Sequence, residues 1–174
     1  MNGKIFTLRN LYQSGTEKLE KAGIREAKLD AWYLLEYKTG ISRAVFLADP
    51  DREVEEEKAE SYQKDICTRA RRIPLQHITG EQEFMGLNFK VNENVLVPRQ
   101  DTEILVEEIM RDLHDGIRIL DMCTGSGCIL LSLLHYSNDC SGVGADLSEE
   151  ALEVARKNAE QLGESSALFV QGDM

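Results

Sequence analysis

The stretch RILDMCTGSGCILLSLL, residues 118–134, decides the fold of the second half of the chain. An apolar run ends close to Asp121, and a second run begins at Cys128 and is long enough for two helical turns. The residues between them, 124–127, read Thr-Gly-Ser-Gly. A strand that turns into a helix over such small residues lets the main chain approach a ligand, because glycine has no Cβ. The free N–H groups that open the helix can also hold an anion.

Strands and helices continue to alternate after this turn. The predicted segments are a strand over SGVGAD (141–146), a helix over SEEALEVARKNAEQLG (148–163) and a strand over ALFVQGD (167–173). This alternation predicts an α/β fold with parallel strands and crossover helices. Ligands of such sheets bind beyond the carboxyl ends of the strands. Asp121, Asp146 and Asp173 fall at those ends and are therefore candidate ligand-binding residues.

Two kinds of cofactor use a glycine turn of this type. Asp146 lies 19 residues beyond Gly127, where a carboxylate can bind the hydroxyl groups of a ribose. A dinucleotide fits the motif G-x-G-x-x-G, but Leu130 stands at its third glycine position. S-adenosylmethionine, which has a ribose and no phosphate, fits the residues better. A dinucleotide and a purely structural turn remain as alternatives from the residues alone.

Composition excludes several other classes of function. The 174 residues carry a net charge of −11, which argues against a broad nucleic-acid-binding surface. There is no apolar run of membrane-spanning length, and the start MNGKIFTLRN is too polar for a signal peptide. The four cysteines form no C-x-x-C pair, so we expect no metal site and a reducing cytoplasm. We interpret Cys123 as a small buried packing residue without a catalytic role.

The first half of the chain has a different pattern. Helical periodicity predicts helices within residues 5–23, 26–40, 42–48 and 51–73. A β-hairpin follows within 82–98, with Leu87, Phe89 and Val91 on one face and a turn at 92–94. A helix then runs from Asp101 or Thr102 towards Gly116.

Three segments together resemble a known family. They are PLQHITG (74–80), EFMGLNF (83–89) and LVPRQDTE (96–103), which precede the glycine turn. The chain resembles the protein-(glutamine-N5) methyltransferases of peptide chain release factors, the HemK/PrmC family. The resemblance implies three parts: a helical substrate-docking domain over 1–73, a linker with a hairpin over 74–98, and part of a Rossmann-like class I methyltransferase domain over 99–174, with three of the usual seven strands.

The resemblance also implies a function and site residues. The family transfers a methyl group from S-adenosyl-L-methionine to the side-chain amide of the glutamine in the Gly-Gly-Gln motif of release factors. By position, the cofactor-binding residues are Cys123, Thr124, Gly125, Ser126, Gly127, Asp146, Asp173 and Met174, with Asp121, Arg99 and Thr102 as further candidates. Cys123 stands where the family usually has glycine.

The family's acceptor-binding Asn-Pro-Pro-Tyr segment is absent from these 174 residues, so we assign no catalytic residue here. We therefore expect a chain of this length to be inactive and to self-associate through an open sheet edge. Two other functions stay open: a methyltransferase for nucleic-acid amino groups, and a non-catalytic module that docks on release factors.

Overall fold

The computed structural model of the chain describes residues 5–173. Two compact units are present, one ending at Thr79 and the other beginning at Gly80. The fold class predicted from the sequence is confirmed: helices come first, and a parallel α/β sheet follows. The segments 1–73, 74–98 and 99–174 stay a prediction, and the hairpin lies in the second unit. No helix within residues 5–173 has both the length and the apolar character to span a membrane.

The first unit is built from helices around one apolar core. Its elements are β1 Phe6–Thr7, α1 Leu8–Lys21, α2 Ala27–Thr39, α3 Arg43–Ala48, β2 Glu53–Val54, α4 Glu56–Ala70 and α5 Leu75–Thr79. The helix predicted from residue 5 begins later, at Leu8, because the Thr7 hydroxyl accepts a hydrogen bond from the Asn10 N–H and caps it. Phe6 and Thr7 instead pair with the short strand β2.

Helices α1, α2 and α4 share that core. Leu8, Leu19, Leu34 and Tyr62 are fully buried within it. A half-buried ion pair also joins α2 to α4, because Arg69 Nε lies 2.7 Å from Asp30 Oδ2. Apolar burial and this ion pair therefore hold the same two helices together.

The hairpin predicted from the sequence exists, but its strands and turn lie elsewhere. Strand β3 is Glu81–Phe84 and β4 is Leu87–Lys90, and they pair antiparallel. The turn is formed by Met85 and Gly86, with φ of 53° and 72°, and two left-handed residues in succession are typical of a two-residue hairpin turn. A turn does exist at 92–94, as predicted, but it is not the turn of the hairpin. The second strand predicted at 95–97 is wrong, since residues 91–99 form no strand.

The remaining elements form the parallel sheet and its helices. They are α6 Gln100–Asp112, β5 Arg118–Met122, α7 Cys128–His135, β6 Ser141–Asp146, α8 Glu149–Leu162 and β7 Ala167–Gln171. The sheet has the order β5-β6-β7, with Asp121 beside Gly144 and Asp146 beside Gln171. Helix α8 lies within the predicted range and is capped at both ends: the Ser148 hydroxyl accepts from Ala151 N–H, and Gly163 is left-handed.

Helix α7 packs against the sheet through an almost completely buried face. Leu130, Leu131 and Leu133 are at most 1% exposed. Gly142 on β6 has no Cβ, and a Cβ there would overlap the Leu130 side chain. This close packing fixes α7 on the sheet, and with it the glycine turn that opens the helix.

Candidate functional site

A cavity of about 500 Å³ opens at the carboxyl ends of β5 and β6. Two groups of residues line it. The first is the turn between β5 and α7 with the end of β6: Cys123, Thr124, Gly125, Ser126, Cys128, Ile129 and Asp146. The second is the segment after the hairpin with the start of α6: Asn94, Val95, Leu96, Val97, Pro98, Arg99 and Thr102, and Ala151 of α8 completes the wall.

The glycine turn is held by its own main chain. Gly127 N–H donates to the Thr124 carbonyl over 2.8 Å, and Thr124 N–H donates to the Ala145 carbonyl over 3.0 Å. Gly125 and Gly127 both have positive φ, 54° and 78°. A Cβ on Gly125 would meet no atom within 4 Å, so this residue faces open space. The turn therefore presents bare main chain to the cavity, as the sequence predicts.

Asp146 joins the turn to the end of β6. Its Oδ2 accepts from Gly125 N–H over 2.9 Å, and its Oδ1 accepts from Ser148 N–H over 3.0 Å. Each carboxylate oxygen can accept a second hydrogen bond, which leaves capacity for two ligand hydroxyl groups. Asp146 therefore fits the part of a ribose-binding acid while it also supports the turn.

Asp121 lies beneath the turn and not in the wall of the cavity. The Thr124 hydroxyl donates to Asp121 Oδ2 over 2.6 Å. Burial raises the pKa of Asp121 above its ordinary value, while the hydrogen bond from Thr124 acts in the opposite direction and the nearby Asp146 adds to the rise. Asp121 can therefore position Thr124 from below, while Thr124 itself reaches the cavity.

Cys123 differs from the sequence interpretation. It is exposed and lines the cavity, so its assignment as a buried packing residue is wrong. Its φ is 60°, in the left-handed region, where residues with a side chain are uncommon. The first residue after β5 must turn the chain sharply, and that conformation directs Cys123 away from the core. By contrast, burial raises the pKa of the Cys128 thiol to about 11.

Sequence reasoning missed the apolar part of the cavity wall formed by residues 95–97. Val95 is buried against Ala151 and Val154 of α8, whereas Leu96 is 91% exposed beside the cavity. The signal available in the sequence was Pro98, because a residue before proline is extended without needing a strand partner. The Asn94 N–H also bonds to the Asn92 side chain over 3.0 Å, which identifies a local turn.

The other predicted site residues take different places. Arg99 and Thr102 line the cavity, and Arg99 pairs with Asp101 over 3.5 Å. Gly127 is the N-cap of α7 and is not among the lining residues; a Cβ there would crowd Leu131 at 3.1 Å. Asp173 follows β7 and is not among the lining residues, and Met174 lies outside the described residues.

A glycine turn and an acid at the ends of adjacent parallel strands are typical of units that bind a cofactor with a ribose. Residues 113–174 match the family model described as "Methyltransferase domain", and residues 10–80 match that described as "PrmC N-terminal domain". The methyltransferase class predicted from the sequence is thereby confirmed. A solved S-adenosylmethionine-dependent methyltransferase from Thiobacillus denitrificans aligns at 29% identity and a TM-score of 0.39, over 47% of this chain and 33% of that chain.

Curated relatives show which kind of methyltransferase the chain resembles. The release factor glutamine methyltransferase of Caulobacter vibrioides is 37% identical over 170 residues, 96% of this chain and 59% of the relative. That of Moorella thermoacetica is 39% identical over 170 residues, 96% of this chain and 60% of the relative. The chain is thus a relative of the release factor glutamine methyltransferases, a family of enzymes, and it spans about three fifths of their length.

Proposed function

We propose that the cavity binds S-adenosylmethionine as methyl donor. The observation that carries this proposal is that the open glycine turn and the Asp146 carboxylate line one cavity and are joined by a hydrogen bond of 2.9 Å. The bound donor supplies an electrophilic methyl group on a sulfonium centre. In the proposed role, Asp146 accepts hydrogen bonds from the ribose hydroxyls, and the turn at Thr124–Gly125–Ser126 leaves room for the amino-acid end.

The remaining lining residues divide between polar and apolar parts of the donor. Val95, Leu96 and Ile129 offer apolar surface, which suits a planar base and the methylene groups of the donor's amino-acid chain. Arg99 is exposed at the start of α6 and can attract the donor's carboxylate. Asp121, held under Thr124, supports the shape of the turn. Asp173 and Met174 stay predicted contacts of the donor.

For the complete protein we propose transfer of the methyl group to the side-chain amide nitrogen of a glutamine in peptide chain release factors, within their Gly-Gly-Gln motif. The names of the two relatives support the release factor as substrate. The proposed partner is therefore a protein and not a nucleic acid, in agreement with the net charge of −11. We also propose the cytoplasm as the location of this activity, because release factors act in translation termination.

Calorimetric titration of this chain with S-adenosylmethionine tests the donor site. We expect binding by the wild type, loss of at least about tenfold in affinity for Asp146→Ala, since a charge-assisted hydrogen bond is removed, and no change for Glu153→Ala. Glu153 is an exposed acid on α8 and serves as the matched control. Equal binding by Asp146→Ala and wild type would contradict the proposed role of Asp146.

A second assay tests the acceptor. The full-length gene product is incubated with a purified release factor and donor that carries a tritiated methyl group. Label should enter the factor and be lost when the glutamine of its Gly-Gly-Gln motif is changed to glutamate. Label that persists in the changed factor would place the acceptor elsewhere.

A further inference from the structure

Asn158 on α8 is a completely buried polar residue that contacts both the hairpin and the glycine turn. Its Nδ2 donates to the Ser126 carbonyl over 2.9 Å and to the Lys90 carbonyl over 3.1 Å. Its Oδ1 accepts from the Lys90 N–H over 2.7 Å. One side chain therefore satisfies three main-chain groups on two separate elements.

These partners fix the orientation of the amide. Two carbonyl oxygens face Nδ2 and one N–H faces Oδ1, so the reversed amide would place like groups against each other. On the hairpin side, the amide pairs with the outward edge of β4 as a neighbouring strand would. Asn158 thus connects the hairpin to helix α8 of the second unit by hydrogen bonds.

On the turn side, the contact fixes one peptide group at both ends. The carbonyl of Ser126 accepts from Asn158, while the N–H of the same peptide, on Gly127, donates to the Thr124 carbonyl over 2.8 Å. Ser126 is 3% exposed, so water cannot replace a lost partner. A peptide group that is hydrogen-bonded at both polar ends resists rotation, which restrains the part of the turn that follows Gly125.

We propose that Asn158 is a positioning residue for the methyl donor. It holds the Ser126–Gly127 peptide and the β4 strand in one arrangement, so that the turn and the segment after the hairpin present both walls of the cavity together. This inference rests on the proposed donor site. It goes beyond that site because Asn158 does not line the cavity. Its hydrogen bond to the cavity wall is made to the main-chain carbonyl of Ser126.

The test uses Asn158→Asp with Gln161→Glu as the matched control. Gln161 lies one turn further on α8 and donates to the Asn88 carbonyl of the same strand over 2.8 Å, but it does not touch the glycine turn. Both variants exchange an amide for a carboxyl group. The affinity for S-adenosylhomocysteine, a stable analogue of the donor, is measured by calorimetry from about pH 8 to about pH 5.5.

The two variants should respond differently to pH. At pH 8 a carboxylate at position 158 repels two carbonyl oxygens, and we expect affinity to fall at least about tenfold. Burial raises the pKa of such a carboxyl, so protonation on acidification restores one donor and part of the affinity. Gln161→Glu should stay within about twofold of the wild type throughout. Wild-type affinity for Asn158→Asp at pH 8, or a loss that does not change with pH, would overturn the proposal.

A measurement on the wild type covers the case in which Asn158→Asp does not fold. Amide hydrogen exchange is followed by NMR with and without S-adenosylhomocysteine. The Lys90 amide, which donates to Asn158, should exchange more slowly in the complex, whereas the Met85 amide, which donates to Glu103 over 2.7 Å, should not change. Binding without any effect on Lys90 would overturn the role of Asn158. Absence of wild-type binding would instead refute the donor site, and this inference with it.

Discussion

The carboxylate of Asp146 accepts a hydrogen bond of 2.9 Å from the main-chain N–H of Gly125. Its other oxygen accepts from the Ser148 N–H over 3.0 Å. The end of β6, the glycine turn and the start of α8 therefore meet at one charged group. Because each oxygen retains a free lone pair, ligand hydroxyls can bind without breaking these contacts.

This arrangement predicts an order of affinities for changes at Asp146. Asp146→Asn keeps one acceptor oxygen and loses the charge, while Asp146→Ala loses both acceptors. We expect donor affinity to decrease from wild type to Asp146→Asn to Asp146→Ala, with each step costing about 1–2 kcal/mol. Titration with S-adenosylmethionine gives the three values. Weaker binding by Asp146→Asn than by Asp146→Ala would contradict the proposed role of the Asp146 carboxylate in donor binding.

The raised pKa of Asp121 predicts a stability that depends on pH. Burial makes the native state hold the Asp121 proton more tightly than the unfolded chain, whose carboxyl has a pKa of 3.8. This residue's contribution to stability is therefore greatest at acid pH and falls as pH rises from 3.8 through the higher native pKa. Because the asparagine of Asp121→Asn cannot ionise, this variant should not lose that stability as pH rises.

Urea unfolding at about pH 4 and about pH 7 measures this effect. The free energy of unfolding of Asp121→Asn, relative to wild type, should rise between the two pH values. Glu153→Gln, at an exposed position of α8, is the control and should show no such change. A relative stability that falls towards neutral pH would contradict the assignment of Asp121 as a buried, destabilised carboxylate.

The cysteines at the cavity should differ in reactivity. Cys123 is exposed and lines the cavity, whereas burial raises the pKa of Cys128 to about 11 and keeps it a thiol at pH 8. Because thiolate is the reactive form, we expect iodoacetamide to modify Cys123 and not Cys128 in the native protein. Peptide mass spectrometry identifies the labelled residue.

S-adenosylhomocysteine supplies the control for that experiment. A ligand in the cavity should slow modification of Cys123 and leave the rate at Cys67, in the other unit, unchanged. Equal slowing of both residues would indicate a general effect on the protein, and no slowing at Cys123 would place the ligand elsewhere.

Gly15 on α1 should resist replacement by alanine. In an open helix the change stabilises by about 1 kcal/mol, but a Cβ on Gly15 would overlap the buried Tyr62 hydroxyl and lie 2.9 Å from Tyr62 Cζ. Overpacking of this kind costs about 1–3 kcal/mol. We therefore expect Gly15→Ala to lower the free energy of unfolding, while Gln13→Ala, at an exposed position of the same helix, stays within about 0.5 kcal/mol. A more stable Gly15→Ala would show that α4 can move away from α1.

The sequence predicts the parallel sheet well because its signals are local. The apolar runs at β5 and β6, the cap at Ser148 and the left-handed Gly163 each act over a few residues. The hairpin is less well predicted because its turn depends on Met85, a non-glycine residue in a left-handed conformation that composition does not indicate. Two tertiary contacts support that turn: the Met85 N–H donates to Glu103, and the Met85 carbonyl accepts from Tyr136.

The candidate site also combines features that the sequence predicts with features that it does not. The glycine turn and Asp146 follow from motif and spacing, and both lie at the cavity. The exposure of Cys123 does not follow, since small residues in an apolar context are usually buried and only the backbone geometry turns this one outward. Asn158 contacts residues that lie 68 and 32 positions away in the sequence, and no local sequence pattern predicts such contacts.

The contacts of Asn158 also bear on how such sequences vary. Its partners at Lys90 and Ser126 are main-chain atoms, which every amino acid except proline can provide. The Lys90 side chain is exposed, so that position can accept many residues without loss of the contact. The sequence information that joins hairpin to turn is concentrated at a single position. In saturation mutagenesis we therefore expect position 158 to accept only asparagine. Position 90, its direct partner, should accept most residues other than proline.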